Sequence, residues 1–218
     1  MDAPSFLALL RQYRAIAVLR PQTLDQGLHL AQALAAGGLR LIEVTWNSPS
    51  PGQLLSQLQR ALPDCQIGAG TLLSIADLEA ATAAGAAFAF TPHTAEAMVA
   101  WAIHHGLPLV PGALTPSEVL AAWQAGATAV KVFPITAVGG AAYLRSLQGP
   151  LDSIPLVPTG GISLEMVPSL MEAGATAVGL STALCPSQVI ARCDWSTITA
   201  RAQALVTSLQ PFVCQPGT

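Results

Sequence analysis

Brief apolar runs alternate with Ala/Leu-rich segments of helical period along nearly the whole chain, and this rhythm limits the fold more than any other feature. The runs fall at residues 15–20, 39–46, 66–71, 87–92, 107–113, 129–134, 154–161 and 177–183, which makes eight strand candidates. The helical segments between them end near Gly37, Gly85, Gly106, Gly126 and Gly174, where αL caps are expected. Repeated strand-plus-helix units predict parallel strands with crossover helices. Eight such units predict a single (β/α)8 TIM barrel occupying residues 1–218, preceded by a short helix at 4–13.

Composition narrows the partners. Of 218 residues, 52% are hydrophobic and only 10% charged, which excludes a disordered polyelectrolyte. The formal net charge is −3 and no Lys/Arg run could track a phosphate backbone, so nucleic acid is not an expected partner. The mean hydropathy of +0.52 raises the question of a membrane span. The uncharged stretch 173–191 is broken by Gly174, Gly179, Pro186, Ser187 and Gln188, and the N-terminal segment has no signal-peptide apolar core, so the expected location is the cytoplasm. Cys65, Cys185, Cys193 and Cys214 form no CxxC pair and read as reduced thiols.

Polar residues inside the predicted strands carry the chemistry. In Leu41-Ile42-Glu43-Val44-Thr45-Trp46, a period of two places Ile42, Val44 and Trp46 toward the helices and Leu41, Glu43 and Thr45 toward the barrel interior. An ionised carboxylate there is costly unless paired, and an internal salt bridge is the plain alternative to a functional role. Lys131 in Ala129-Val130-Lys131-Val132-Phe133-Pro134 faces away from Val130 and Val132. It is the only lysine among the 9 basic residues, and it sits in a strand interior where solubility gives it no purpose. A desolvated lysine can lose its proton and attack a carbonyl, which arginine cannot do.

The end of each strand supplies further candidates. Val157-Pro158-Thr159-Gly160-Gly161-Ile162 joins strand seven to the next helix, where adjacent glycines and a helix start can receive an anion. Gly179-Leu180-Ser181-Thr182 supplies the matching half after strand eight. Arg20, Thr71 and Pro92-His93 close strands one, three and four at the edge where barrel active sites form. Gly139-Gly140 reads as an ordinary turn, His93 as a solvated loop residue, and His104 and His105 as the end of a helix. No histidine and carboxylate cluster has catalytic metal spacing, and a lysine iminium would make an enolate-stabilising ion unnecessary; neither metal nor cofactor is expected.

Taken together, Ile42-Glu43-Val44-Thr45, Gly68-Ala69-Gly70-Thr71, Thr91-Pro92-His93, Val110-Pro111-Gly112, Val130-Lys131-Val132-Phe133-Pro134 and Pro158-Thr159-Gly160-Gly161 resemble the 2-keto-3-deoxy-6-phosphogluconate (KDPG) / 4-hydroxy-2-oxoglutarate (KHG) aldolases. The resemblance runs over residues 15–184. It implies a metal-independent class I aldolase, a homotrimer, with Lys131 forming a Schiff base and Glu43 acting as general acid/base. It also implies that Thr71 contacts the pyruvyl carboxylate and that Pro92 positions a catalytic water. Phe133 and Thr159 would line the substrate site, while Gly160, Gly161 and Ser181 receive the phosphate and Arg20 adds an anion ligand.

The implied partners are pyruvate and a phosphorylated 2-keto-3-deoxy sugar acid, with 4-hydroxy-2-oxoglutarate cleavage and oxaloacetate decarboxylation as further activities. One position departs from the pattern. Many relatives carry an arginine two residues after the strand-two threonine, for carboxylate binding, where this chain has Asn47, leaving Arg20 to compensate. Asn47-Ser48-Pro49 is similar to the 2-keto-3-deoxy-6-phosphogalactonate aldolases, whereas Pro158-Thr159-Gly160-Gly161 is similar to the phosphogluconate branch, so the C4 epimer stays open. Fold alone would also permit a phosphate-sugar-binding barrel without catalysis, or an isomerase-like barrel sharing only the phosphate loops.

Overall fold

The computed structural model describes residues 1–213, and Cys214, with the rest of the tail, lies outside them. Asp2 accepts a hydrogen bond from Ser5 N and caps α1 (Ala3–Tyr13), which is followed by β1 (Ala15–Leu19), α2 (Leu24–Ala36), β2 (Leu41–Thr45), α3 (Pro51–Ala61) and β3 (Gln66–Gly70). Next come α4 (Ile75–Ala83), β4 (Ala89–Phe90), α5 (Glu96–His104), β5 (Leu109–Val110), β6 (Gly112–Ala113) and α6 (Pro116–Gln124). The remainder is β7 (Val130–Val132), α7 (Ala141–Gln148), β8 (Leu156–Pro158), α8 (Val167–Glu172), β9 (Val178–Leu180), α9 (Ser187–Ala191) and α10 (Trp195–Leu209). Helix starts follow local chemistry: Ser74 with Asp77 and Thr115 with Glu118 form capping boxes on α4 and α6. Among the described residues no helix is long and apolar enough to cross a membrane.

All strand pairs are parallel, which establishes an α/β fold, but they form two sheets and not one unbroken eight-stranded ring. One sheet has the order β5-β4-β3-β2-β1-β9 and the other β6-β7-β8. The strand expected over 107–113 is divided at Pro111, whose nitrogen cannot donate to a neighbour. Backbone hydrogen bonds nevertheless cross both seams: Thr128 N donates to Leu109 O at 3.0 Å and Thr176 N to Leu156 O at 2.9 Å, and an isolated bridge joins Thr159 to Gly179.

The strands separate two cores. Ile42, Val44, Ile67, Val130 and Val132 pack with the helices α2 to α10 in the larger one. The other strand face contributes Ile16, Leu41, Phe88, Phe90, Val110, Ala129, Val157 and Ala177 to a smaller cluster, whose helical members Phe6 and Leu10 come from α1. Phe6 stacks on Phe88 with centroids 4.6 Å apart, so α1 stops one end of this enclosed space with carbon. The predicted alternation is present in β2, since Leu41 belongs to the enclosed cluster and Ile42 and Val44 to the helix-facing one.

Two local expectations change. Gly37 adopts φ −79° and the left-handed residue is its neighbour Gly38 at φ +96°, while Gly85, Gly106, Gly126 and Gly174 do have positive φ. The chain after Gly161 does not enter an α-helix directly: a 3-10 turn at Leu164–Met166 comes first, and α8 begins only at Val167.

Candidate active site

At the C-terminal ends of the strands, opposite α1, the enclosed face turns from carbon to charge. Glu43 is 2% exposed and Lys131 6% exposed, and both line one cleft. Their parity places them there: Glu43 is two residues beyond the buried Leu41 on β2, and Lys131, in β7, is two beyond the buried Ala129 that precedes the strand. The salt bridge weighed for Glu43 is not formed, since no Glu43–Lys131 pair lies within 4.0 Å. Glu43 Oε1 is buried without a hydrogen-bond partner. Burial, opposed by the charges of Lys131 and Arg20, holds the Glu43 carboxyl above its ordinary range. Lys131 Nζ stands 4.9 Å from the centroid of the Phe133 ring, which is 36% exposed at the rim.

Gly70 makes room for the acid. A Cβ at this position would lie 1.7 Å from Glu43 Oε1 and 2.2 Å from its carboxyl carbon, so the carboxyl rests where any other residue would put a side chain. The next residue, Thr71, is held at φ +60°, a strained conformation for a β-branched side chain, and lines the same cleft. Pro92 lines it from the end of β4, and Gly112 lets the neighbouring strand segment approach the Pro92 carbonyl.

On the other side, Gly160 and Gly161 have successive positive φ values of +99° and +74°. Two successive left-handed residues suit glycine alone, and the missing side chains leave this stretch of backbone open to the cleft. Thr136 Oγ1 donates to Gly160 O at 3.0 Å and fixes the loop. Because α8 starts further on, the glycine backbone itself faces the cleft in the place expected of a helix start. Thr159 is buried and its hydroxyl donates to Val157 O, while Ser181, two residues beyond the Gly179 that bridges to Thr159, lines the adjoining wall.

Arg20, just beyond β1, donates from Nη1 to Asn47 Oδ1 at 3.3 Å. Thus all ten sequence-derived candidates, Lys131, Glu43, Arg20, Thr71, Pro92, Phe133, Thr159, Gly160, Gly161 and Ser181, line a single cleft. Val18 and Ile162 also line it, and no sequence signal distinguished either from an ordinary core aliphatic. His93 is exposed and outside the cleft, and His104 and His105 stand at the end of α5, where His105 stacks on Trp101. Among the described residues Cys65, Cys185 and Cys193 are free thiols.

A family model described as KDPG and KHG aldolase matches residues 7–201. A 2-dehydro-3-deoxy-phosphogluconate aldolase of Treponema pallidum is 32% identical over 194 residues, covering 89% of this chain and 92% of that protein. Its counterpart in Pseudomonas aeruginosa is 34% identical over 196 residues, 87% of this chain and 86% of the relative. The crystal structure of a KDPG aldolase from Legionella pneumophila, with pyruvate captured as a covalent carbinolamine intermediate, superposes with a TM-score of 0.85 at 30% identity. That match covers 91% of this chain and 97% of the other.

Proposed function

Because the chain belongs to the KDPG and KHG aldolase family of carbon–carbon lyases, we propose that it cleaves 2-keto-3-deoxy-6-phosphogluconate to pyruvate and glyceraldehyde 3-phosphate through a Schiff base on Lys131. The single observation that carries this reading is the shared burial of Lys131 and an unpartnered Glu43 in one cleft. Two buried ionisable groups that do not satisfy each other cost stability, and such groups are characteristic of functional sites.

In the proposed reaction, the neutral Lys131 amine adds to the C2 carbonyl, and a proton from the Glu43 carboxyl lets the hydroxyl of the adduct depart as water, leaving a protonated imine and the Glu43 carboxylate. Glu43, directly or through a water beside Pro92, accepts the C4 hydroxyl proton. The C3–C4 electron pair moves into the imine as an enamine, and glyceraldehyde 3-phosphate leaves. Protonation at C3 and addition of water to the imine return pyruvate and the free amine. A carboxyl raised by burial suits this exchange, because its proton affinity is brought toward the operating pH.

The binding roles follow the cleft. The glycine pair and Ser181 receive the phosphate, Thr71 the pyruvyl carboxylate, and Arg20 the remaining negative charge. Phe133 closes the rim over Lys131. The same imine would cleave 4-hydroxy-2-oxoglutarate and decarboxylate oxaloacetate. The two sheets act as one closed (β/α)8 barrel, and the working protein is a cytoplasmic homotrimer. The Arg20–Asn47 hydrogen bond supports a second reading of the substrate, the C4 epimer 2-keto-3-deoxy-6-phosphogalactonate, since Asn47 replaces the arginine of the gluconate-type pattern.

Borohydride reduction with pyruvate tests the chemistry. A stable mass adduct should appear on Lys131 and vanish in Lys131→Met, together with all pyruvate release. Binding of the sugar acid without an adduct would make the protein a non-catalytic binder. Comparing the two epimers as substrates then decides the branch.

A further inference from the structure

The cleft that holds Glu43 and Lys131 has a volume of about 170 Å³, below the roughly 300–1,000 Å³ usual for small-molecule sites. A cavity of about 680 Å³ opens beside it. Val18, Arg20, Ser181 and Thr182 line both, so the two spaces meet along the wall assigned above to the phosphate end of the substrate.

The larger cavity has a distinct chemistry. Gln22 and Gln26 reach it from the start of α2, and Gln188 and Ile190 from α9. Gln26 Oε1 accepts from Gln22 N at 2.7 Å, so the donor groups of that side chain are its amide N–H bonds. Arg20 is the only charged residue of the lining, and the Cys185 thiol, pushed up to about 12 by burial, stays neutral. Amides above an aliphatic wall match a chain of hydroxyls on carbon and offer no second cation to a further phosphate.

We propose that this cavity extends the active site and takes the uncharged hydroxylated tail of 2-keto-3-deoxy acids longer than six carbons. The inference rests on the aldolase reading above. A six-carbon substrate with its phosphate at Gly160, Gly161 and Ser181 ends at the shared wall, and a longer unphosphorylated chain passes Ser181 into the second space. Bond changes are those of the shorter substrate: C3–C4 breaks, the C4 hydroxyl proton goes to Glu43, and pyruvate and a longer aldose are released.

The test measures pyruvate release from an eight-carbon 2-keto-3-deoxy acid and from the six-carbon 6-phosphate, using wild type, Ile190→Trp and Gln188→Ala. Wild type should cleave both. Filling the cavity in Ile190→Trp should lower kcat/KM for the eight-carbon acid about tenfold or more and leave the six-carbon reaction within about twofold. Gln188→Ala should lower the long substrate alone by a smaller factor. The pyruvate–borohydride adduct on each variant reports that its site is folded; if Ile190→Trp gives none, Gln188→Ala decides. No eight-carbon cleavage above the Lys131→Met background, or equal losses for both substrates, overturns the proposal. Absence of six-carbon cleavage in wild type would sink the aldolase reading itself.

Discussion

The two ends of the strand layer obey opposite rules. At the α1 end, Phe6, Leu10, Phe88 and Phe90 are all at most 2% exposed and bring together no charged group. At the other end lie an unpartnered carboxyl, a buried amine and a threonine in a left-handed conformation. One end lowers the free energy of the folded chain, and the other raises it. This division is what a parallel α/β scaffold allows: the strands are anchored at one end, and the loops at the other can hold groups that do not satisfy one another.

The comparison breaks most visibly if the carbon end is damaged. Phe6→Ala removes a fully buried ring stacked on Phe88 and should destabilise the protein by about 3–5 kcal/mol in denaturant unfolding. Well below its unfolding transition the variant should still form the Lys131 adduct at the wild-type rate. A slowed adduct with unchanged stability would show that the two ends are coupled through the strands.

Gly70→Ala probes the other end. Its Cβ would overlap the Glu43 carboxyl, so the acid must leave its place. A displacement on the order of 1 Å costs about 100-fold in kcat, while the adduct on Lys131, across the cleft, should still accumulate. The pH dependence of kcat should move as well, because Glu43 loses part of the burial that raises it. Wild-type kcat with an unaltered pH profile would mean that the carboxyl has no fixed position to defend.

These two residues also mark the limit of what the sequence discloses. Glu43 and Lys131 stand out because a strand of period two makes a charge on its enclosed face an anomaly visible without coordinates. Gly70 belongs to a recognisable Gly68-Ala69-Gly70 run, yet its purpose depends on a carboxyl leaning over from the neighbouring strand, where Thr45 and not Glu43 is its register partner. The division at Pro111 was open to inference from the missing N–H, but the eightfold rhythm outweighed it. Gly37 and Gly38 are chemically identical neighbours, and only helix length decides which one turns left-handed. The Arg20–Asn47 bond joins residues 27 apart that composition could not pair.

Glu43→Gln sharpens the energetic side of the comparison. The folded-state affinity of Glu43 for its proton is raised above the ordinary value of 4.5, so the folded protein binds more protons than the unfolded chain between the two values. Stability therefore falls as pH rises through that window, and the full cost remains above it. Glu43→Gln, inactive, should be more stable than wild type by about 1–3 kcal/mol above that window, with the difference shrinking as pH falls through it toward 4.5. A gap that widens on acidification would mean that the folded protein favours the ionised carboxyl.

The smallest expected effect concerns the exposed rim. Asn47 touches Arg20 through one hydrogen bond at 3.3 Å, and both side chains are open to solvent, so the bond orients the guanidinium more than it stabilises the fold. Asn47→Ala should raise KM for the phosphorylated sugar acid a few-fold, on the order of 1 kcal/mol, and leave kcat and thermal stability unchanged. Asn47→Arg should move KM the other way, because it adds a second cation beside the anionic substrate. Opposite shifts in KM at constant kcat identify Asn47 as a positioning residue for Arg20. A shift of kcat, or the same direction in both variants, would instead place Asn47 in the folding of the loop after β2, and Arg20 would hold its position without it.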